Sequence, residues 1–170
     1  MATHNTPHSR TLILMRHGKS AYPAGVADHD RPLAPRGRRQ AAMAGDWLRA
    51  MQPPVDAVLC STSVRTRDTL AAAGVTAPTT FSEALYGAYP AQVVAEIAET
   101  DASVRTLLVV GHDPGMPTTA LDLAGNPDTG DAVAIREKFP TSALAVLTVP
   151  CSWAELTSSS ASLTTFHVPR

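Results

Sequence analysis

Residues 11–23, which read TLILMRHGKSAYP, join a hydrophobic strand to a cluster of charge. Four consecutive apolar residues at positions 12–15 predict a buried strand. Arg16 and His17 follow this strand directly, and Gly18 comes next. Because the planar donors of arginine match two phosphate oxygens at once, the end of this strand is a candidate site for an anion.

The composition limits the classes of protein to which the chain can belong. It has 170 residues, of which 44% are apolar, so we expect one domain with a proper core, placed at residues 11–170. The charged fraction of 17% argues against a disordered or nucleic-acid-coating chain. The net charge of -1 supplies no overall field for DNA or anionic lipid. The apolar runs are also far shorter than the roughly 20 residues of a membrane span, so we predict neither a nucleic acid nor a membrane partner.

The N-terminus and the cysteines favour a cytoplasmic protein. Residues 1–10 lack an apolar signal region, and we predict that they form a flexible tail. Cys60 and Cys151 are too few for a disulfide framework, so we expect two reduced thiols, although a single bridge also fits the sequence. His4 and His8 lie on the predicted tail, and no Cys/His set has zinc spacing, so we predict no metal and no cofactor.

Apolar runs alternate with helical patterns along the chain. Strands are predicted at residues 12–15, 55–60, 79–85, 105–110, 143–149 and 162–168. The third of these also fits an extended loop, and the last fits an edge strand. Helices are predicted at residues 36–51, 64–73, 91–100 and 116–123. This alternation predicts an α/β fold, a three-layer α/β/α sandwich with a mainly parallel sheet.

Polar residues follow the first, second and fourth predicted strands. They occupy residues 16–18, 61–67 and 111–113. In open α/β sheets ligands bind beyond the carboxyl ends of the strands, so we expect these groups to meet at one edge of the sheet.

Together these groups predict phosphoryl transfer through a histidine. Two arginines from separate strand ends can bracket one phosphoryl group. A neutral imidazole is a nucleophile through one ring nitrogen, and Gly18 would allow a backbone carbonyl to approach the other nitrogen. A second, protonated imidazole would neutralise charge on the phosphoryl oxygens. The predicted reaction transfers a phosphoryl group to a histidine and then to water, with no metal.

Three motifs in this order resemble those of the histidine phosphatase superfamily, the phosphoglycerate mutase-like group. They are RHG at residues 16–18, the pattern S-x-x-x-R-x-x-x-T at residues 61–69, and GH at residues 111–112. The short chain and the segments DHDRPLAPRGRRQA and VVGHDPG are similar to the small bacterial phosphohistidine phosphatase branch. The resemblance implies a phosphoglycerate mutase-like fold.

The resemblance also implies roles for individual residues. His17 would be the phosphorylated nucleophile, and His112 would complete the catalytic pocket as a charge partner. Arg16 and Arg65 would clamp the phosphoryl group, and Arg31 would reach the pocket mouth. The residues implied to bind the substrate are therefore Arg16, Gly18, Arg31, Arg65 and His112.

The proton donor is the point at which the chain departs from the larger families. Mutases carry a glutamate in a basic, asparagine-containing segment. The corresponding residues 81–90 read FSEALYGAYP and offer only Glu83 as a proton donor. Glu83 can equally be an exposed loop acid. Some acid phosphatases use the aspartate after the second histidine. Asp113 stands there, although its position before Pro114 also predicts a helix N-cap. Phosphohistidine leaves readily, so an enzyme directed at it needs a weak acid or none.

Other interpretations of these motifs exist. Arg65 also fits a solvated residue on the first turn of a helix, and Ser61, Thr62 and Ser63 are predicted to cap that helix rather than to act as nucleophiles. The segment CSTSVRT is similar to a cysteine phosphatase loop, but the spacing between Cys60 and Arg65 is too short for it. No P-loop and no GxGxxG follows the first strand, so a nucleotide is not indicated.

The sequence therefore predicts a metal-independent phosphatase that acts through a phosphohistidine on His17. Its predicted substrate is a phosphohistidine protein or a small phosphorylated molecule. The alternatives are a phosphoprotein-binding module of the same fold with little turnover, or a small-molecule phosphomonoester phosphatase or mutase.

Overall fold

The computed structural model describes residues 9–51 and 53–170. Most of the predicted tail at residues 1–10, with His4 and His8, therefore lies outside the described residues. The first strand begins at Arg10, inside the range predicted for the tail.

Strands and helices alternate along the described residues. The strands are β1 (Arg10–Arg16), β2 (Ala57–Ser61), β3 (Thr79–Ser82), β4 (Thr106–Gly111), β5 (Leu144–Val149) and β6 (Ser162–His167). The helices are α1 (Pro35–Ala50), α2 (Val64–Ala73), α3 (Pro90–Ala98), α4 (Gly115–Leu123) and α5 (Gly130–Glu137). Short 3-10 turns cover Asp28–Asp30, Glu83–Leu85 and Trp153–Glu155.

Two elements differ from the sequence prediction. The predicted strand at residues 79–85 ends at Ser82, and a 3-10 turn follows it. Helix α5 is not predicted from the sequence, because it is only eight residues long and buries only Ala132 and Ile135. So short an apolar stripe gives almost no helical periodicity.

The strands form one six-stranded sheet in the order β3-β2-β4-β1-β5-β6. The neighbours β3/β2, β2/β4 and β4/β1 are parallel, whereas β5 and β6 are antiparallel additions. The mainly parallel sheet and the edge position of β6 are confirmed.

Helices cover both faces of the sheet, which makes the three layers. On β1, Leu12 and Leu14 pack in a core with residues of α3, α4 and α5. Ile13 and Met15 point to the opposite face and pack in a second core with residues of α1 and α2. An unbroken apolar run is required on this strand because both of its faces are buried. Within the described residues, no helix combines the length and hydrophobicity that a membrane crossing needs.

The topology gathers three strand ends at one edge of the sheet. Strands β1, β2 and β4 are parallel neighbours, so their carboxyl ends lie side by side. Beyond β1 the chain stays tied to this edge, because the His17 amide donates to the Gly111 carbonyl at 3.0 Å. On the other side, the Ser142 amide donates to the carbonyls of Arg16 and His17, each at 3.1 Å.

Candidate active site

A cavity of about 430 Å³ opens at the carboxyl ends of β1, β2 and β4. Six of the eight residues proposed from the sequence line it: Arg16, His17, Arg31, Arg65, His112 and Asp113. Gly18 and Glu83 do not line this cavity.

His17 is held as a neutral imidazole with a defined tautomer. Its side chain is buried, and its Nδ1 lies 2.7 Å from the Gly18 carbonyl oxygen. A carbonyl only accepts hydrogen bonds, so Nδ1 carries the proton and Nε2 keeps its lone pair. Burial lowers the pKa of His17 to about 4, with smaller contributions from the nearby arginines. The expected carbonyl contact is confirmed, and Nε2 keeps a free lone pair at neutral pH.

Gly18 supports His17 from behind the cavity. Its amide donates to Thr69 Oγ1 at 2.8 Å, and the Thr69 hydroxyl donates to the Arg65 carbonyl at 2.7 Å. A Cβ at Gly18 would lie 2.9 Å from the Gly37 carbonyl oxygen on α1, so only glycine fits this close approach. Gly18 therefore supports the loop after β1 and does not line the cavity itself.

Arg16 at the end of β1 and Arg65 in the first turn of α2 each bond to a backbone carbonyl through one terminal nitrogen. Arg16 Nη1 donates to the Phe139 carbonyl at 2.9 Å, and Arg65 Nη1 donates to the Asp28 carbonyl at 2.7 Å. The Nε atoms of both guanidinium groups are buried and have no hydrogen-bond partner among the described residues. Arg65 is only 6% exposed, so the interpretation as a solvated helix residue is wrong. Buried, unpaired donors on two cavity-lining cations suit an oxyanion.

His112 faces His17 edge-on, with the ring centroids 5.3 Å apart. Burial lowers the pKa of His112 to about 3, and neighbouring His17 and Arg65 contribute. His112 is therefore neutral in this structure, and the protonated form expected from the sequence requires an anion close by. The Nε2 atom lies 2.9 Å from Ser61 Oγ.

The polar residues after β2 divide into separate roles. Ser63 is the N-cap of α2, as predicted, because its side chain accepts from the Thr66 amide. The cap prediction is wrong for Ser61, whose hydroxyl pairs with His112, and for Thr62, whose hydroxyl lies 3.0 Å from His29 Nε2.

The two candidate acids are placed differently. Asp113 is exposed and lines the cavity. Its predicted N-cap role is wrong, because α4 begins at Gly115 with Pro114 at the N-cap and without a side-chain cap. Glu83 is exposed on the 3-10 turn after β3, which agrees with its interpretation as an exposed loop acid.

Sequence reasoning missed Asp28 and Tyr86, which both line the cavity. The Asp28 carboxylate accepts from Arg65 Nη2 and from Arg31 Nε, each at 3.1 Å, and from the Tyr86 hydroxyl. The only signal for Asp28 is its i,i+3 spacing from Arg31, which permits an ion pair. Among the described residues, no group of three or more His, Cys, Asp or Glu side chains is placed to hold a metal ion.

Comparisons with known proteins agree with this geometry. The model of the histidine phosphatase superfamily (branch 1) matches residues 12–107. An uncharacterized protein of Mycobacterium tuberculosis (strain ATCC 25618 / H37Rv) is 57% identical over 158 residues, which are 92% of this chain and 100% of that protein.

Two solved structures that are assigned as phosphohistidine phosphatase SixA share the fold. The structure from Nakamurella multipartitia is 41% identical with a TM-score of 0.88, and the match covers 95% of this chain and 96% of that chain. The structure from Agrobacterium tumefaciens is 28% identical with a TM-score of 0.77, and the match covers 94% and 99%. The resemblance indicated by the three sequence motifs is confirmed.

Proposed function

The chain belongs to the histidine phosphatase superfamily and is a phosphatase with a phosphoglycerate mutase-like fold, and from this premise we propose that it works through a phosphohistidine on His17. One observation carries the proposal. The Nδ1 proton of His17 is committed to the Gly18 carbonyl, which leaves the Nε2 lone pair for the cavity that Arg16 and Arg65 also line.

In the first step, His17 Nε2 attacks phosphorus and the bond from phosphorus to the leaving group breaks. Arg16 and Arg65 stabilise the charge on the phosphoryl oxygens through their unpaired donors. The Gly18 carbonyl stabilises the positive charge that develops on the His17 ring. In the second step, water attacks phosphorus and gives a proton to the Asp113 carboxylate, which lines the same cavity. His17 leaves with its electron pair, and inorganic phosphate is released.

His112 changes its charge when the phosphoryl group binds. A phosphate dianion close to the ring raises the pKa of His112 from its low value, because it stabilises the imidazolium form. A protonated His112 then donates to a phosphoryl oxygen. The sequence-derived role of charge partner therefore belongs to the bound state.

We assign the leaving-group proton to Asp113 rather than to Glu83. Asp113 lines the main cavity and also two adjacent cavities of about 350 and 190 Å³. A leaving group that extends from the phosphoryl group into either adjacent cavity passes this carboxyl group. Glu83 lines none of the three.

The proposed substrate is a phosphohistidine on a protein, or a small phosphorylated molecule. The two SixA structures, at 41% and 28% identity, support the first of these. Cys60 and Cys151 are free thiols, as expected of a reducing compartment, which supports the predicted cytoplasmic location.

The proposal is tested by trapping the phosphoryl-enzyme. Wild type and His17→Ala are incubated with a ³²P-labelled phosphoramidate, quenched in alkali and divided between acid and alkaline treatment. We expect a label on the wild type that is lost in acid and survives alkali, and no label on His17→Ala. An equal label on both proteins would refute the nucleophile. A wild type that binds phosphate but forms no label and releases none would be a binding module.

A further inference from the structure

We propose that Asp28 is a positioning residue, which presets the Arg65 guanidinium for the phosphoryl group and acts through Arg65 rather than on the substrate. The inference extends the proposed function. It rests on that function wherever turnover is measured, because turnover then means hydrolysis of a phosphoryl group. Inorganic phosphate binding tests the same inference without turnover.

The contacts of Arg65 leave one edge of its guanidinium free. Nη1 donates to the Asp28 carbonyl at 2.7 Å, and Nη2 donates to the Asp28 carboxylate at 3.1 Å. Both terminal nitrogens therefore bond to the same residue. Nε, on the side edge that it shares with Nη2, is unpaired among the described residues. A side edge of this kind binds two oxygens of one phosphoryl group.

Arg16 provides an internal comparison. Its Nη1 is anchored by the Phe139 carbonyl at 2.9 Å, and its Nε is also buried and unpaired. Phe139 is itself a buried core residue that leads into β5. Asp28, by contrast, lies on an exposed 3-10 turn. An exposed turn needs additional contacts to hold a guanidinium as firmly as the core does, and the carboxylate provides them.

Those contacts connect two loops across the cavity. The Asp28 carboxylate accepts from Arg31 Nε at 3.1 Å, and Arg31 Nη1 donates to Ser20 Oγ at 2.8 Å. From the loop after β3, the Tyr86 hydroxyl donates to the same carboxylate, and the Arg65 guanidinium carbon lies 5.7 Å from the Tyr86 ring. The Tyr86 hydrogen bond and the arginines hold the pKa of Asp28 far below its usual range, so this carboxyl group is an anchor and not a proton donor.

A carboxylate in an anion site can also act in the opposite way, as a competitor that occupies Arg65 until phosphate displaces it. The two roles predict opposite signs. A competitor weakens phosphate binding, so its removal tightens binding. A positioning residue leaves the side edge of Arg65 free, so its removal weakens binding and slows turnover.

The experiment compares Asp28→Ala and Asp28→Asn with Asp30→Ala as the matched control. Asp30 is an acid on the same turn and lines none of the three cavities described above, and its carboxylate lies 3.6 Å from the half-buried His29 ring. Inorganic phosphate affinity is measured by titration calorimetry, and kcat and KM are measured with an aryl phosphate. We expect Asp28→Ala to weaken phosphate binding and to lower kcat by about 10- to 100-fold, the usual range for a misplaced catalytic group. Asp28→Asn keeps an acceptor oxygen and should recover part of both, and Asp30→Ala should match wild type.

A double-mutant cycle with Arg65→Ala separates positioning from a general structural effect. If Asp28 acts through Arg65, adding Asp28→Ala to Arg65→Ala costs little more than Arg65→Ala alone. Additive losses, or tighter phosphate binding by Asp28→Ala, would overturn the inference. If the wild type binds phosphate but is inactive, the proposed function is refuted. The phosphate affinities of the variants would then still test the role of Asp28.

Discussion

Replacing Thr69 with valine tests how the motif after β2 supports the nucleophile. Thr69 is fully buried, and its hydroxyl joins α2 to the loop after β1, accepting from the Gly18 amide at 2.8 Å and donating to the Arg65 carbonyl at 2.7 Å. Valine has nearly the same shape, so Thr69→Val removes both hydrogen bonds without leaving a cavity.

The expected loss of stability follows from the two hydrogen bonds that the Thr69 hydroxyl makes. A buried amide left without an acceptor costs about 1–3 kcal/mol, and the second hydrogen bond contributes about 1 kcal/mol more. We therefore expect Thr69→Val to lower the free energy of unfolding by about 2–4 kcal/mol. It should also lower kcat by about 10-fold or more, because the amide of Gly18, the residue whose carbonyl orients His17, loses its anchor.

Thr119 on α4 provides the matched control. It is also fully buried, but its hydroxyl has no hydrogen-bond partner among the described residues. Thr119→Val removes a buried hydroxyl that makes no hydrogen bond among the described residues, so it should be neutral or stabilise the fold by up to about 1 kcal/mol. Urea unfolding at pH 7, followed by tryptophan fluorescence, gives the two stabilities. If Thr69→Val is as stable and as active as Thr119→Val, the proposed support of Gly18 by Thr69 is wrong.

Two further predictions concern proton binding. His17 and His112 have pKa values of about 4 and 3 in the fold against 6.5 in the unfolded chain, so below pH 6.5 the unfolded state binds more protons. The free energy of unfolding should therefore fall as the pH drops from 6.5 towards 4, by up to about 1.4 kcal/mol per pH unit for each histidine. His17→Asn should remove about half of this slope in urea titrations, and an unchanged slope would contradict the burial argument. For the acid, Asp113→Asn should slow hydrolysis of an alkyl phosphate more than that of phosphohistidine, whereas Glu83→Gln should leave both rates unchanged. Equal effects of Asp113→Asn on the two substrates would remove it as the proton donor.

The sequence predicts the fold and the centre of the site because both depend on strong local patterns. Runs such as residues 12–15 and 107–110 are buried on both faces of a parallel sheet, so they are apolar without interruption. Parallel neighbours end at the same edge, and this places Arg16, Arg65 and His112 around one cavity. Predicting that these residues meet requires the parallel order of the strands but no side-chain geometry.

The parts that sequence reasoning missed depend on contacts between distant loops. Asp28 and Tyr86 are 58 positions apart and belong to short irregular segments with no periodicity. The low pKa of His112 could not be predicted from the sequence for a related reason. Burial, which is a property of the folded site, lowers its pKa more than any neighbour that the sequence could suggest.

The two arginines differ in the elements that anchor them. This difference predicts which substitutions affect the choice of substrate and which affect the reaction itself. Arg16 and His17 are fixed by the sheet and by the backbone of buried residues such as Phe139 and Ser142. Arg65 extends from α2 towards a network of Asp28, Arg31 and Tyr86 that surface loops supply. We expect a substitution in those loops to alter the orientation of Arg65 and the shape of the cavity without moving His17, because His17 bonds to Gly111, Ser142 and Gly18 instead. Loop residues are therefore where changes in substrate choice and in the efficiency of turnover should arise, and the sheet end is where a complete loss of reaction should arise.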